Sequence, residues 1–232
     1  MEMQHQVQLE VRSLFKAYRR HQILEDVTFS AASGQCVGIV GSNGCGKTTL
    51  LSILAGAVRA DKGSIRYHGR EAIGAPRVFD QEVAYVPQEN PLMGELSVKD
   101  NLSLWYRGGR KRMEEDLKNG PAALLGIDKM LKKTVATLSG GMKKRLSIAC
   151  ALSNHASVLI LDEPGAALDL EGKAEVRGYV EGYIRSGGTV VLASHEMEEL
   201  ALCTQMYVLK GGKLYPIEAG APEEKLREAF QM

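Results

Sequence analysis

Residues 41–48 are Gly-Ser-Asn-Gly-Cys-Gly-Lys-Thr, which fits the pattern G-x-x-x-x-G-K-[ST] at every specified position. Because glycine has no Cβ, consecutive backbone N–H groups of such a segment can converge on phosphate oxygens. Lys47 can then reach the β- and γ-phosphates, and the Thr48 hydroxyl can ligate Mg²⁺. The segment therefore predicts a binding site for a nucleoside triphosphate. Its expected contact residues are Gly41, Ser42, Asn43, Gly44, Cys45, Gly46, Lys47, Thr48 and Thr49.

The flanks of this segment predict a strand before it and a helix after it. Residues 36–40 are apolar or small and indicate a short buried strand, and residues 48–54 have helical periodicity. A loop in this setting lies at a helix N-terminus, where backbone N–H groups and the helix dipole favour anions. The alternative, a glycine-rich turn with an incidental lysine, is much less frequent in this context.

Two acidic residues follow a second apolar run. Residues 158–161 are Val-Leu-Ile-Leu, and Asp162, Glu163 and Pro164 come next. In an open α/β sheet, carboxylates at the carboxyl end of a buried strand lie where ligands bind. We therefore expect Asp162 to hold Mg²⁺ and Glu163 to polarise the water that attacks the γ-phosphate. The alternative is a pair of acids that only begins a loop.

A second anion site is predicted further along the chain. Residues 138–142 are Leu-Ser-Gly-Gly-Met, directly before a helical segment at residues 143–152. Ser139 suits a helix N-cap, and Gly140 and Gly141 expose backbone N–H groups at the positive end of the helix dipole. One γ-phosphate does not need two such sites from a single chain. Taken alone, the pattern would be better interpreted as an ordinary serine-capped helix.

Composition limits the classes of protein that the chain can belong to. Its 232 residues include 29 basic and 28 acidic side chains. Because these charges nearly cancel, no net field favours nucleic acid or anionic lipid, and we expect no nucleic-acid partner. The four cysteines show no C-x-x-C pairing, so we expect reduced thiols. We predict no secretory signal, and no apolar run reaches the roughly 20 residues that cross a bilayer.

The first third of the chain predicts an antiparallel sheet. Apolar and polar residues alternate at residues 7–11, and residues 27–31 and 64–68 have a similar pattern. Residues 83–86 indicate one more short strand. A hairpin is predicted near the other end of the chain, at the Gly-Gly step of residues 211–212.

The middle and last parts of the chain predict helices and then a parallel sheet. Residues 96–106 and 113–125 have helical patterns, and residues 223–230 could form a short final helix. The short apolar runs at residues 158–161 and 189–193 are each followed by helical segments, which is typical of parallel strands buried on both faces. The predicted fold class is α/β: a P-loop NTPase core with a mainly parallel sheet, an antiparallel β subdomain and a helical subdomain.

The order of these features resembles the ATP-binding-cassette (ABC) ATPases. Gln88 follows a short strand after the phosphate loop, then come Leu-Ser-Gly-Gly and Asp-Glu, and His195 follows the strand at residues 189–193. More specifically, it resembles the single-chain nucleotide-binding subunits of bacterial ABC transporters, over about residues 7–217. Leu-Ser-Gly-Gly together with the phosphate loop is highly specific, whereas Gln88 or His195 alone would indicate little.

The resemblance implies a site shared between two chains. In this family two cassettes pair head to tail, as a homodimer or a heterodimer, and each ATP lies between them. Ser139, Gly140 and Gly141 would then bind the γ-phosphate of the partner's ATP, which accounts for the second anion site. ATP and Mg²⁺ are the implied ligands. The resemblance also implies an integral membrane permease subunit as a partner, and a cytoplasmic location on the inner face of the cell membrane.

Individual residues take implied roles from their positions in the family pattern. Tyr18 matches the aromatic residue that stacks on adenine, with a core tyrosine as the alternative. Asp169 matches the loop that crosses the dimer interface, and His195 matches the histidine that hydrogen-bonds the γ-phosphate. Gln88 matches the residue that contacts Mg²⁺ or the attacking water. The implied catalytic residues are Glu163, His195 and Gln88, and the implied metal ligands are Thr48, Gln88 and Asp162.

The resemblance also implies a division of the chain and a docking surface. We expect one cassette domain over residues 1–232, with its core at residues 1–88 and 155–232 and a helical subdomain at about residues 89–154. Leu92, Met93, Leu96 and Leu102 are expected to form an apolar groove for a short cytoplasmic helix of the permease. An ordinary helical core is the alternative for these four residues.

Three positions depart from the family pattern. Met142 stands where glutamine is usual, Gly165 replaces the commoner serine or threonine, and Ala166 replaces a small polar residue. We expect these changes to weaken dimer closure or to alter its rate. Because the residues assigned to phosphate, metal and water are all present, we predict a competent hydrolase.

Two other functional classes stay open at this point. One is a soluble cassette ATPase in cofactor assembly or another role without transport. The other is a P-loop kinase for a small molecule, against which the second phosphate-binding helix and the Asp-Glu pair argue. Among transporters, the lack of a long extension after residue 217 favours an exporter. The sequence does not indicate the transported substrate.

Overall fold

The computed structural model describes residues 6–89, 91–107, 109–166 and 168–231. The strands fall into two sheets, with helices between and around them. In chain order, the strands are β1 (Val7–Tyr18), β2 (His21–Ala32), β3 (Cys36–Val40), β4 (Lys62–Tyr67), β5 (Arg70–Glu71), β6 (Val83–Val86), β7 (Val158–Asp162), β8 (Thr189–Ala193), β9 (Gln205–Lys210) and β10 (Lys213–Ile217). The helices are α1 (Lys47–Leu54), α2 (Pro76–Glu82), α3 (Val98–Ser103), α4 (Gly109–Asn119), α5 (Pro121–Leu124), α6 (Gly140–Ala151), α7 (Leu170–Arg185), α8 (Met197–Leu200) and α9 (Glu223–Gln231).

The larger sheet has the strand order β10-β9-β3-β8-β7-β6. All its neighbouring strands run parallel except β10, which pairs antiparallel with β9. Every residue of β3, β7 and β8 is buried, as expected for central parallel strands covered on both faces. Because these three strands are parallel, the residues that follow them meet at one edge of the sheet.

The smaller sheet is antiparallel, with the order β2-β1-β4-β5. Strands β1 and β2 form a long hairpin in which Val11 lies opposite Phe29. Alternate residues of these strands, such as Leu9, Val11, Val27 and Phe29, are buried, and the residues between them are more accessible. The α/β architecture with an antiparallel sheet is therefore confirmed.

The hairpin predicted at the Gly-Gly step joins β9 and β10. Gly211 and Gly212 have φ angles of 55° and 81°, which suit a two-residue turn with positive φ at both positions. Lys210 lies opposite Lys213, so the strands pair directly on either side of the turn. The prediction is confirmed.

Two apolar clusters cover the two faces of the larger sheet. Cys36 and Val40 belong to one cluster, whereas Val37 and Ile39 of the same strand belong to the other. The first cluster includes residues of α3, α6 and α7, and the second includes residues of α1 and of the antiparallel sheet. The strand ends are therefore held between two packed layers.

The helical patterns of the middle segment are longer than the helices themselves. The predicted helix at residues 96–106 is limited to α3, whose N-cap Ser97 accepts a hydrogen bond from the Asp100 N–H at 3.1 Å. Residues 113–125 are largely helical, as predicted, but they are divided between α4 and α5. The chain breaks between α4 and α5 because Gly120 is extended and Pro121 has no N–H to donate.

Candidate functional site

The glycine-rich loop joins the end of β3 to the start of α1, as predicted. Gly41 has a φ of 155°, and a Cβ built there would lie 2.6 Å from the Leu209 carbonyl oxygen and 2.7 Å from the Cys45 Sγ. Only glycine fits this position without a shift of its neighbours. Cys45 is half-buried and packs against the cluster beneath the loop.

A cavity of about 370 Å³ lies over this loop. The Lys47 ammonium is buried and donates to the carbonyl oxygens of Gly41 and Ser42, at 2.7 Å and 3.2 Å. Within the described ranges Lys47 forms no ion pair with a carboxylate, so its charge is available to an anionic ligand. The residues that line the cavity are Ile23, Asn43, Gly44, Gly46, Lys47, Thr48, Thr49, Gln88 and Glu163.

Asp162 ends β7, directly before the cavity residue Glu163, and is buried. Burial raises the pKa of its carboxyl group, and a hydrogen bond from the Thr48 side chain partly opposes that rise. The Asp162 Oδ2 atom has no hydrogen-bond partner among the residues that the structure describes. Mg²⁺ takes carboxylate and other oxygen ligands, so Asp162 and Thr48 fit a magnesium ion.

Glu163 lies between two other predicted site residues. Gln88 Nε2 donates to Glu163 Oε2 at 3.1 Å, and His195 Nε2 lies 3.6 Å from Glu163 Oε1. The structure therefore brings together the three side chains to which catalysis was assigned.

The backbone at Glu163 is in the left-handed region, with a φ of 47°. The Glu163 N–H donates to the Ala193 carbonyl at 2.8 Å, and the Ala166 N–H donates to the Glu163 carbonyl at 3.1 Å. Strained residues of this kind often occur at functional sites, where the surrounding structure fixes them.

Sequence reasoning did not find Lys144. This residue of α6 is 1% exposed, and its ammonium donates to the carbonyl oxygens of Pro87 and Gln88 at 3.3 Å and 3.2 Å. Burial lowers the pKa of Lys144. Helical spacing places Lys144 on the same face as buried Ile148, but nothing in that segment indicates the carbonyl groups that Lys144 binds.

The second predicted anion site lies outside the cavity over the phosphate loop. Ser139 caps α6, as predicted, and its Oγ accepts a hydrogen bond from the Met142 N–H at 3.3 Å. Ser139 and Gly140 are exposed and are not among the residues that line that cavity. Close packing of α6 against α7 also favours glycine at position 141, because a Cβ there would lie 3.1 Å from the Cα of Gly172 on α7.

The two remaining predicted residues lie apart from the cavity lining. Tyr18 is 48% exposed, so the alternative of a core tyrosine is wrong, and the Lys16 ammonium lies 5.1 Å from its ring centroid. Asp169 caps α7, and its Oδ1 accepts a hydrogen bond from the Gly172 N–H at 2.9 Å. Ala167, in the loop before Asp169, lies outside the described residues.

The fold and the site together define an ATP-binding cassette. Residues 24–166 match the family model described as ABC transporter, and the chain belongs to this family. It is an ATP-binding subunit of the ABC transporter class, an ATPase domain that hydrolyses ATP to power transport. The prediction of the family and of its enzymatic activity is thereby confirmed.

Curated relatives include both export and import proteins. The chain is 31% identical to the linearmycin resistance ATP-binding protein LnrL of Bacillus subtilis, over 90% of this chain and 68% of that protein. It is 33% identical to the Nod factor export ATP-binding protein I of Ralstonia nicotianae, over 93% of this chain and 68% of that protein. It is 35% identical to the aliphatic sulfonates import ATP-binding protein SsuB of Cupriavidus necator, over 90% of this chain and 68% of that protein.

Solved structures share the fold. One, described as the ATP binding subunit of an ABC transporter, superposes with a TM-score of 0.84 at 24% identity and covers 97% of this chain and 100% of that one. A nucleotide-free ATP-binding cassette superposes with a TM-score of 0.83 at 21% identity, over 97% and 96%. Among the helices of the described residues, none has the length and apolar character needed to span a membrane.

Proposed function

We propose that this chain pairs with a second cassette when ATP binds and drives transport through a separate permease. The observation that carries this proposal is the exposed start of α6 at Ser139 and Gly140, away from the cavity over the chain's own phosphate loop. An N-terminus with a serine cap and two glycines suits a γ-phosphate, and a second chain is the source that the geometry favours. The division into a core and a helical subdomain, predicted from the resemblance, belongs to the same proposal.

In the proposed mechanism, the loop N–H groups and Lys47 bind the phosphates of the substrate ATP. Thr48, Asp162 and Gln88 would hold Mg²⁺, and the ion would supply positive charge that offsets the negative charge of the phosphates. Glu163 accepts a proton from the attacking water as the water oxygen bonds to the γ-phosphorus. The bond between that phosphorus and the bridging oxygen breaks, and ADP and phosphate leave.

Gln88 and His195 position the base in this mechanism. The Gln88 side chain donates to one oxygen of Glu163, and the His195 ring lies 3.6 Å from the other. His195 is also proposed to contact the γ-phosphate, the role that the resemblance implies. Tyr18 is proposed to stack on adenine, because its exposed ring stands at the end of β1, and Asp169 to lie at the interface between cassettes.

The proposed docking surface for the permease differs from the groove predicted from sequence. Leu102 is fully buried in the first apolar cluster, so its assignment to the groove is wrong. Met93 is 54% exposed, and buried Asn101 holds its backbone through hydrogen bonds of 2.8 Å and 2.9 Å. Leu92 and Leu96 are half-buried beside it. A clamped backbone that displays an apolar side chain suits a fixed partner surface.

Met93→Glu is expected to abolish assembly with the permease and to leave the ATPase activity of the isolated chain within about twofold of wild type. The measurement is capture of a membrane protein with several apolar segments of about 20 residues from detergent-solubilised membranes of the source organism. Leu124→Glu is the matched control, because Leu124 is an apolar residue that is 77% exposed on α5. If Met93→Glu captured the membrane protein as well as wild type, the docking surface would not include Met93.

Export is the proposed direction, and the cytoplasmic face of the membrane is the proposed location. Two relatives that match about nine-tenths of the chain are named for resistance or for export, although SsuB is named for import. The discriminating measurement uses inverted membrane vesicles that carry the assembled complex. ATP-dependent solute uptake into such vesicles corresponds to export from the cell. A soluble assembly ATPase, the other candidate, would show no capture of a membrane protein at all.

A further inference from the structure

Glu199 is a buried carboxylate that the mechanism above does not use. It lies on α8 and is 8% exposed. Its Oε2 accepts a hydrogen bond from the Ser194 hydroxyl at 2.5 Å, and the Gly165 N–H donates to the same carboxylate. Burial raises the pKa of Glu199, and these two hydrogen bonds partly oppose the rise. One side chain therefore joins two separate loops.

The two loops that Glu199 joins carry the predicted base and the predicted histidine. Gly165 lies in the turn that the Ala166 N–H closes onto the Glu163 carbonyl. Ser194 directly precedes His195, and its Oγ also accepts a hydrogen bond from the Glu196 N–H at 2.9 Å. The distance between Glu163 and His195 thus depends on how far apart Glu199 holds the two loops.

The space at Gly165 is filled by the same carboxylate. A Cβ built on Gly165 would lie 2.4 Å from Glu199 Oε1 and 3.3 Å from its Cδ. A side chain at this position would push the Glu199 carboxylate away from its present hydrogen bonds. This contact gives a physical reason for glycine at a position where the family more often has serine or threonine.

The charged groups near Glu199 do not neutralise it directly. Lys173 forms its ion pair with Glu196, at 2.8 Å, and Lys144 bonds to backbone carbonyls on the other side. Across the described ranges no salt bridge includes Glu199. Its two hydrogen-bond donors, the Ser194 hydroxyl and the Gly165 N–H, are neutral. The Glu199 carboxylate therefore joins the two loops through hydrogen bonds and not through an ion pair.

We propose that Glu199 is a positioning residue for ATP hydrolysis. Its carboxylate fixes the turn after Glu163 against the loop before His195 and so sets the geometry of the base. The proposal rests on the hydrolytic roles proposed for Glu163 and His195. Glu199 does not line the cavity over the phosphate loop, so its effect should be on turnover and not on ATP binding.

The test compares Glu199→Ala with Glu199→Gln. Alanine removes both hydrogen bonds, and kcat should fall about tenfold or more, because small displacements of a catalytic group are costly. The KM for ATP should stay within about twofold. Glutamine can accept from the Gly165 N–H and donate to the Ser194 Oγ, so its kcat should stay within about threefold of wild type. An unchanged kcat in Glu199→Ala, or an equal loss of kcat in both variants, would overturn the proposal.

A second comparison keeps the proposal testable if Glu199→Ala does not fold. Gly165→Ala should lower kcat in the wild-type background, because its Cβ displaces the Glu199 carboxylate. Ser194→Ala removes one of the two hydrogen bonds and should lower kcat by a smaller factor. Normal kcat in both Gly165→Ala and Ser194→Ala would overturn the proposal.

Glu163→Gln, measured in the same assay, separates this proposal from the one on which it rests. A wild-type rate in Glu163→Gln would contradict the proposed base. A lost rate in Glu163→Gln together with a normal rate in Glu199→Ala would contradict only the positioning role.

Discussion

Glu163→Gln is expected to bind ATP with near wild-type affinity and to hydrolyse it about two orders of magnitude more slowly, or slower still. Glutamine keeps the size of the side chain and can still contact Gln88 and His195, but it cannot accept a proton from water. The phosphate loop is unchanged, because Lys47 bonds to the loop carbonyls of Gly41 and Ser42 and not to Glu163. We therefore expect binding and turnover to separate in this variant.

The measurement pairs ATP binding and turnover with size-exclusion chromatography in the presence of Mg·ATP. An ATP-bound dimer should accumulate, since the step that would release it is blocked. Glu198→Gln is the matched control, because Glu198 is an exposed glutamate whose contact is with Arg177 on the surface. Turnover near the wild-type rate in Glu163→Gln would show that another group activates the water.

Ser139→Arg is expected to abolish hydrolysis and to leave ATP binding by the monomer almost unchanged. Ser139 is exposed and lies outside the cavity over the phosphate loop, so arginine there does not reach the chain's own nucleotide site. It would instead place a bulky cation where the partner's γ-phosphate is proposed to lie. Binding is best measured by calorimetry at low protein concentration, and turnover at high concentration.

Ser139→Ala is the matched control for this second prediction. It removes the N-cap hydrogen bond to the Met142 N–H, which costs about 0.5–2 kcal/mol of stability, without adding bulk. A thermal unfolding curve for both variants separates the loss of the cap from the effect of the cation. If Ser139→Arg lost binding and hydrolysis equally, the start of α6 would belong to the interior of a single-chain site.

Much of the fold could be predicted because its signals are local. The strands β3, β7 and β8 are continuous apolar runs, and their burial on both faces follows from that composition. The helical pattern of residues 113–125 predicts helix correctly for most of the segment, but it does not show the break that Gly120 and Pro121 impose between α4 and α5. The extent of α3 depends on the cap at Ser97, which the helical pattern alone did not indicate.

The candidate site divides in a similar way. Short motifs with specific spacing predict the roles of Lys47, Thr48, Asp162 and Glu163. Lys144 could not be assigned from its own segment, because the carbonyls that it binds lie 56 and 57 residues away in the sequence. Leu102 was misplaced for a related reason: exposure depends on what packs over a helix, and only the folded chain shows that.

Gln88 forms hydrogen bonds with two different parts of the molecule, the proposed base Glu163 and helix α6. Its side chain donates to Glu163, and its backbone carbonyl accepts from Lys144, five residues after Ser139 in the chain. The two hydrogen bonds connect the start of α6, which is proposed to meet another cassette, to the Glu163 carboxylate, which is proposed to take a proton from water. A shift of α6 would either move Gln88 as well or separate the buried Lys144 ammonium from its carbonyl acceptors. Leaving a buried charge without its partners is costly. If a second chain docks at α6 as proposed, any displacement of that helix would therefore be transmitted through Gln88 to Glu163.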